Sequence, residues 1–110
     1  MVEAPALLQK DGVYFLFFSS GCYADSSYDS SYAVSTSGVL GPYTKAGAPT
    51  APLLVTGRPS SSLYGPGGLS VGVNGDNKVV FHADQGTTAD VRQMYTGTLN
   101  IDTGARTVSI

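Results

Sequence analysis

Glu3 is the only glutamate in this 110-residue chain, and it stands at the start of a short apolar run. The run ends at the polar turn Lys10-Asp11-Gly12, and an aromatic segment follows. Burial disfavours the charged form of a carboxylic acid, so an acid at the entrance to an apolar core is held protonated. A general acid working near neutral pH needs that form. We therefore predict that Glu3 is a general acid; the alternative is a surface glutamate that precedes a strand.

Two other residue types that could do chemistry occur once each. His82 closes an apolar strand, and a single histidine is no metal signature by itself, so a hydrogen-bonded strand-end histidine is an equal alternative. Cys22 is the only cysteine, which excludes an internal disulfide. Because Cys22 and His82 lie 60 residues apart and no nucleophile motif surrounds the thiol, we expect a buried or unpaired thiol.

The composition limits the classes of protein to which the chain can belong. Hydrophobic residues make up 42% and charged residues 13%, which is too apolar for a disordered chain. Glycine, serine, tyrosine and valine are plentiful, and this favours strands and turns. The net charge of −2 with no basic cluster argues against nucleic acid as a partner. No apolar run is long enough to span a bilayer, and the start of the chain lacks a signal-peptide pattern.

The strands that must position Glu3 and His82 follow from alternation and turn signals. Polar turns are expected at 10–12, 74–77 and 102–104, and a Ser/Gly/Pro-rich linker at 56–62. The second strand is so uniformly apolar that we expect it to be central and buried on both faces. The expected strands are 4–9, 13–19, 31–35, 53–55, 67–73, 78–83, 92–99 and 107–110.

The two halves of the chain repeat each other. Gly12 and Gly75, Phe18 and Phe81, Ser19 and His82, and Tyr32 and Tyr95 are each 63 residues apart. Four antiparallel strands at such a period indicate a β-propeller blade, with residues 1–57 as one blade and 63–110 as the next. Two blades cannot close a ring, so the repeat predicts a piece of a longer propeller. The alternative is an eight-stranded β-sandwich.

Motifs along nearly the whole chain resemble those of glycoside hydrolase family 43, in the same order. They are VEAPA at 2–6, DGVYFLFFS at 11–19, YDSSYAVS at 28–35, GPYT at 41–44, PLL at 52–54, GPGG at 65–68, VVFHA at 79–83 and RQMY at 92–95. The details are most similar to fungal arabinosidases and xylosidases. The resemblance implies an all-β, five-bladed propeller, of which this chain supplies about two four-stranded blades from the C-terminal part.

The resemblance also implies roles for individual residues. Glu3 falls on the general acid of an inverting glycosidase, while the general base and a pKa-tuning aspartate would lie in upstream blades. Arg92 matches an arginine that contacts the sugar, and His82 is predicted to bind substrate as well. His82 lies near the axis, where some members hold a calcium ion through water; no other cofactor is expected. Tyr28 and Asp29 are predicted to bind substrate from a loop, unless they are a packing tyrosine and a turn aspartate. Gly68 stands where many members carry a histidine.

The implied substrate is an arabinose- or xylose-containing plant polysaccharide, cleaved by an extracellular enzyme that needs the missing blades and no membrane. The fragment alone is expected to be inactive. One alternative function is a non-catalytic carbohydrate-binding module that presents Tyr14, Tyr28 and Tyr32 as an exposed row. Another alternative is a product that does not fold. Asp84 and Asp90 flank a loop and are candidates for a base only if the resemblance fails.

Overall fold

The computed structural model describes residues 1–86 and 91–110, and every regular element in them is a β-strand. Nothing helical in these residues has the length and hydrophobicity that a bilayer-spanning segment requires. The strands are β1 (Val2–Lys10), β2 (Val13–Ser20), β3 (Asp29–Ser35), β4 (Thr44–Lys45), β5 (Tyr64–Val71), β6 (Lys78–Asp84), β7 (Arg92–Thr98), β8 (Asn100–Asp102) and β9 (Thr107–Ser109).

The first sheet is an antiparallel meander in the order β1-β2-β3-β4. Asp11 and Gly12 have φ of 50° and 78°, as a two-residue hairpin turn with two left-handed residues requires, and this confirms the predicted turn. Strand β2 is central, as predicted, but only one of its faces is fully buried. Phe15 and Phe17 are shielded from solvent while the alternate residues are half-buried, so the prediction of burial on both faces is wrong.

The second sheet contains three strands in the order β5-β6-β7, and β8 and β9 form a separate two-stranded hairpin. The predicted strand at 53–55 is therefore wrong, whereas the predicted strand at 107–110 is present as β9 but lies outside the sheet of β5, β6 and β7. In the first half the fourth strand is β4, while Leu54 is fully buried and makes a single bridge with Ser30. The apolar side chains at 53–54 fill the core instead of extending the sheet. In the second half, residues 107–109 pair with β8 and not with β7.

One hydrophobic core joins the two sheets. Phe15 and Phe17 of β2 belong to the same buried cluster as Leu69 of β5 and Phe81 of β6. Each fully buried side chain of this size contributes about 1.5–3 kcal/mol relative to exposure. Tyr32 packs against the rings of Phe15 and Phe17, and its hydroxyl accepts a 3.1 Å hydrogen bond from the backbone N–H of Val108. The β8–β9 hairpin is thereby tied to the first sheet.

The sequence repeat is real in the structure but shifts by one residue between strands. Phe17 lies opposite Tyr32 on β2 and β3, and Phe81 lies opposite Tyr95 on β6 and β7. Phe17, and not Phe18, therefore corresponds to Phe81, while Tyr32 keeps the 63-residue spacing. The residue equivalent to Ser19 is therefore Ala83. Because side chains alternate between faces, His82 points to the opposite face of its strand. The predicted pairing of Ser19 with His82 is wrong in register.

Candidate functional site

Glu3 lies on edge strand β1 opposite Ser19 of β2, next to an irregularity in the pairing between Glu3 and Ala6. Its side chain is exposed, so the expectation that it enters an apolar core is wrong. Its Oε1 accepts a 2.8 Å hydrogen bond from the hydroxyl of Tyr28. The carboxyl is thus fixed at one oxygen and open to solvent, a state in which a substrate can reach it.

Tyr28 connects Glu3 to the second sheet. Its ring is 2% exposed and stacks on the imidazole of His82, with centroids 6.1 Å apart. The Arg92 guanidinium lies 5.4 Å from the ring centroid, and a Cβ on Gly67 would come within 1.9 Å of the ring. Burial raises the pKa of the Tyr28 hydroxyl above its ordinary value of 10.0, and donation to Glu3 raises it further, so Tyr28 is the donor.

This packing leaves no face of Tyr28 open for stacking on a sugar. The exposed row at 14, 28 and 32 is also wrong, because Tyr14 is half-buried and Tyr32 is fully buried. The predicted loop residue Asp29 begins strand β3 instead. Its Oδ1 accepts hydrogen bonds from the backbone N–H and the hydroxyl of Ser20, at 3.2 and 2.6 Å, and so joins the ends of β2 and β3.

His82 projects from β6 with both ring nitrogens in defined surroundings. Nδ1 accepts a 2.5 Å hydrogen bond from Nε of Arg92. Nε2 lies beside Gly68, where a Cβ would come within 2.3 Å of it. Burial lowers the pKa of His82 below its ordinary value of 6.5, and the positive charge of Arg92 lowers it further against the opposing carboxylates of Asp84 and Glu3. The imidazole is therefore neutral near pH 7.

Arg92 makes four hydrogen bonds and one ion pair within the chain. Nε–H donates to His82, and the Nη2 group donates to the carbonyls of Gly65 and His82, at 2.6 and 3.2 Å. The Nη1 group donates to the carbonyl of Tyr23 at 3.0 Å and lies 2.8 Å from Oδ1 of Asp84. The predicted contact of Arg92 with a sugar stays a prediction, and in this arrangement it would require one of these interactions to break.

Asp84 is the residue of this cluster for which the sequence suggested only a fallback role. It is fully shielded from solvent at the end of β6. Its ion pair with Arg92 is short, yet neither of its oxygens has a partner with hydrogen-bond alignment among the described residues. Asp84 therefore acts on Arg92 through charge. An aspartate that ends an apolar strand is the signal that could have identified it. Asp90 lies outside the described residues.

Ser19, Gly67 and Gly68 bring the two sheets together at this end of the molecule. The backbone N–H of Gly68 donates to Oγ of Ser19 at 2.8 Å, which places Ser19 and His82 on either side of one residue. At the GPGG motif the side chains of Tyr28 and His82 pack directly against the backbone of Gly67 and Gly68. Two cavities of the molecule, of about 600 and 360 Å³, are lined by residues outside this cluster.

Several solved structures share this fold along the whole chain. The chain superposes on an endo-1,4-β-xylanase from Bacteroides thetaiotaomicron with a TM-score of 0.81 and 31% identity, covering 100% of this chain and 37% of the xylanase. A thermostable family 43 glycoside hydrolase gives 0.78 and 28%, covering 97% and 35%. This chain has the fold of family 43 glycoside hydrolases. A xylan β-1,4-xylosidase from Bacillus halodurans gives 0.77 and 25%, covering 100% and 22%.

The resemblance to family 43 is confirmed, and with it the all-β fold and the partial propeller. The sandwich alternative is thereby set aside. The chain spans about a third of the first two of these family 43-like structures and about a fifth of the third. No protein-family model and no curated protein sequence matches the chain.

The residues present do not form a cage for the calcium ion that family 43 resemblance led us to expect. No group of three or more His, Cys, Asp or Glu side chains that could hold a metal ion occurs within 1–86 and 91–110. Ca²⁺ prefers oxygen ligands, and of His82 only Nε2 is left, because Nδ1 accepts from Arg92. A calcium ion near His82 stays a prediction that would need ligands from water or from elsewhere. Cys22 is an exposed free thiol.

Proposed function

We propose that this chain is the acid-bearing part of an inverting glycoside hydrolase that cleaves O-glycosidic bonds in arabinose- and xylose-containing plant polysaccharides. Supporting this are the family 43 fold and the xylanase and xylosidase among its structural relatives. An endo-arabinanase from Bacillus licheniformis, at 26% identity and a TM-score of 0.68, extends the support to arabinose polymers. We also propose that the enzyme acts outside the cell.

The observation that carries the proposal is the state of Glu3. Tyr28 holds Oε1, and no other residue in the described part of the chain donates to Oε2. Oε2 can therefore carry the proton and deliver it to the glycosidic oxygen as the bond to the anomeric carbon breaks. The buried Tyr28 sets the direction of the carboxyl, because its own ring is fixed by His82, Arg92 and Gly67.

The general base must come from elsewhere. An inverting enzyme places its base roughly 6.5–9.5 Å from the acid, with a water between base and anomeric carbon. Asp84 is shut away from solvent beside Arg92, and Asp29 binds Ser20, so neither can activate a water beside Glu3. We propose that the base and a second aspartate lie in upstream blades, and that the 110-residue chain alone releases no sugar.

The test joins this chain to the upstream reading frame and measures hydrolysis. Replacing Glu3 by Gln removes the transferable proton, and general acids contribute about 10²–10⁴-fold to rate. We expect a loss of that size in kcat on xylobiose or arabino-oligosaccharides. A much smaller loss is expected on 4-nitrophenyl glycosides, because 4-nitrophenolate leaves without protonation.

The matched control is Asp76→Asn, which removes an exposed carboxylate from a distant turn and keeps the acceptor for the N–H of Lys78. Its activity should equal that of the parent. Equal activity of Glu3→Gln on the oligosaccharides would remove Glu3 from the mechanism. Binding of xylan without any hydrolysis by the joined protein would overturn the enzymatic function itself.

A further inference from the structure

The imidazole of His82 is held on three sides by groups of different chemistry. Tyr28 covers one face, Nε of Arg92 approaches Nδ1, and the backbone of Gly68 borders Nε2. Of these neighbours only Arg92 makes a hydrogen bond with the ring. The ring therefore has a defined position, and the remaining question is which nitrogen carries the proton.

The contact with Arg92 decides the tautomer. A guanidinium has five donors and no acceptor, so Nδ1 must offer a lone pair to Nε–H. A proton on Nδ1 would set two N–H groups against each other at 2.5 Å. The neutral ring therefore carries its proton on Nε2, which makes Nε2–H a hydrogen-bond donor.

Arg92 can keep this orientation because Asp84 and the carbonyls of Gly65, Tyr23 and His82 hold the rest of its guanidinium. Asp84 is fully buried and pairs with Nη1, while Gly65 and Tyr23 accept from Nη2 and Nη1. Rotation of the guanidinium away from His82 would leave the Asp84 carboxylate unpaired in the protein interior. An uncompensated buried charge is strongly unfavourable, so the guanidinium stays where it is.

The Nε2 side of the ring is open. Within the described residues Nε2 makes no hydrogen bond, and the only buried polar side-chain atoms without a partner are the two oxygens of Asp84. Nε2 therefore reaches solvent. Gly68 packs against this side of the ring, and a Cβ at residue 68 would come within 2.3 Å of Nε2. Gly68 N–H also binds Ser19, so the backbone cannot move aside freely.

We propose that Asp84 and Arg92 are positioning residues that fix His82 as the Nε2–H tautomer, and that this N–H donates to an oxygen of the bound sugar. The acceptor is a hydroxyl or ring oxygen of a pentose unit beside Glu3, so this part rests on the proposed glycosidase function. Gly68 allows the imidazole to take this position, because a Cβ at residue 68 would collide with Nε2. The fixed donor would select the position of the sugar relative to the acid.

The single histidine makes the tautomer directly measurable. In ¹⁵N-labelled 110-residue protein at about pH 8, above the ordinary histidine pKa of about 6.5, long-range ¹H–¹⁵N spectra report each ring nitrogen separately. We expect Nδ1 to be unprotonated and Nε2 protonated, with no averaging between them. An Nδ1–H tautomer or averaged signals in the parent protein would overturn the proposal without any variant.

Variants separate positioning from folding. Arg92→Lys keeps the positive charge but loses the planar guanidinium with its fixed donor geometry, and Asp84→Asn removes the charge that holds the guanidinium in place. In each variant we expect the ¹⁵N signals of Nδ1 and Nε2 to move toward each other. Tyr28→Phe is the matched control, because it removes the bond to Glu3 and keeps the stacked ring, so the tautomer should not change. If Asp84→Asn does not fold, Arg92→Lys decides. A dispersed, folded spectrum with an unchanged tautomer in Arg92→Lys refutes the positioning role.

Sugar binding is measured with the Nε2–H resonance of His82. Addition of xylobiose or arabinobiose should shift the Nε2–H resonance, and cellobiose should shift it less. In the joined enzyme, loss of one neutral hydrogen bond in Arg92→Lys should raise KM about two- to tenfold with a smaller effect on kcat. A correct tautomer with no response to either pentose disaccharide refutes the donor role. The glycosidase function is judged independently, by the hydrolysis lost in Glu3→Gln.

Discussion

The two sheets meet at one end of the molecule, and they hold their polar side chains there in opposite ways. The first sheet contributes Glu3, which is exposed on an edge strand and fixed by one hydrogen bond. The second contributes His82, Arg92 and Asp84, whose polar atoms are largely committed to one another. In the proposed function the exposed carboxyl of the first sheet does the chemistry, and the interlocked side chains of the second sheet set the orientation. Changes in the second sheet should therefore disturb folding more than changes in the first.

The largest difference is expected between two aspartates. Asp84→Ala leaves Arg92, whose side chain is only 19% exposed, without its counter-charge, and breaking a buried pair costs about 3–5 kcal/mol. Asp29→Ala removes hydrogen bonds at a half-buried strand end and should cost about 1 kcal/mol. Urea unfolding of both variants measures the difference. Equal losses would mean that Asp84 is not the anchor of the second sheet.

A smaller effect is expected where the sheets touch. Gly67→Ala would place a Cβ 1.9 Å from the Tyr28 ring, and overpacking of this kind costs about 1–3 kcal/mol, occasionally more. Gly47→Ala is the control, since Gly47 has no atom within 4 Å of its added Cβ and no left-handed backbone. Thermal melts followed by circular dichroism would compare the two. A Gly67→Ala protein as stable as Gly47→Ala would show that Tyr28 is free to move.

The smallest effect is a dependence of stability on pH that only the second sheet should show. The lowered pKa of His82 means that the unfolded chain binds the proton more tightly than the folded chain. The stabilisation is therefore complete above about pH 6.5 and is lost as pH falls through the lower folded pKa. The groups facing the ring are Arg92, Asp84, Glu3 and Tyr28.

The measurement is the melting temperature between about pH 7.5 and pH 5.5, a range above the usual carboxylate pKa values. The parent should lose stability on acidification across this range, and His82→Gln should lose less. Stability that falls equally in both proteins would assign the effect to other groups, and the neutral state of His82 would then have no role in folding.

Local rules predicted the local features correctly. Asp-Gly between two apolar runs specifies a two-residue hairpin, and the turn at 11–12 is found as predicted. The family motifs located Glu3, Tyr28, His82 and Arg92, which do lie close together. Their contacts could not be predicted, because Tyr28 meets Gly67 and Ser19 meets Gly68 across long stretches of chain. The residue pattern within a single strand does not predict contacts between residues so far apart in the sequence.

The errors have physical causes as well. Leu53 and Leu54 have the composition of a strand, but their burial in the shared core outweighed the gain from extending the sheet. The 63-residue offset assigned the wrong equivalent residues on β2 and β6. Because side chains alternate between faces, a one-residue error in register places each side chain on the opposite face of the sheet. Glu3 was expected in apolar surroundings because β1 is rich in apolar residues, yet side chains alternate between the two faces of a strand and Glu3 lies on the exposed face of β1.

The hydroxyl of Tyr32 has a consequence for the predicted boundary at 57–63. That single phenol belongs to the packing of β2 and β3, and it also accepts from Val108 near the opposite terminus. Cleavage in the linker would therefore give two pieces, each of which lacks half of the shared hydrophobic core. Neither piece is an autonomous folding unit, and limited proteolysis there should end in complete digestion instead of two resistant products.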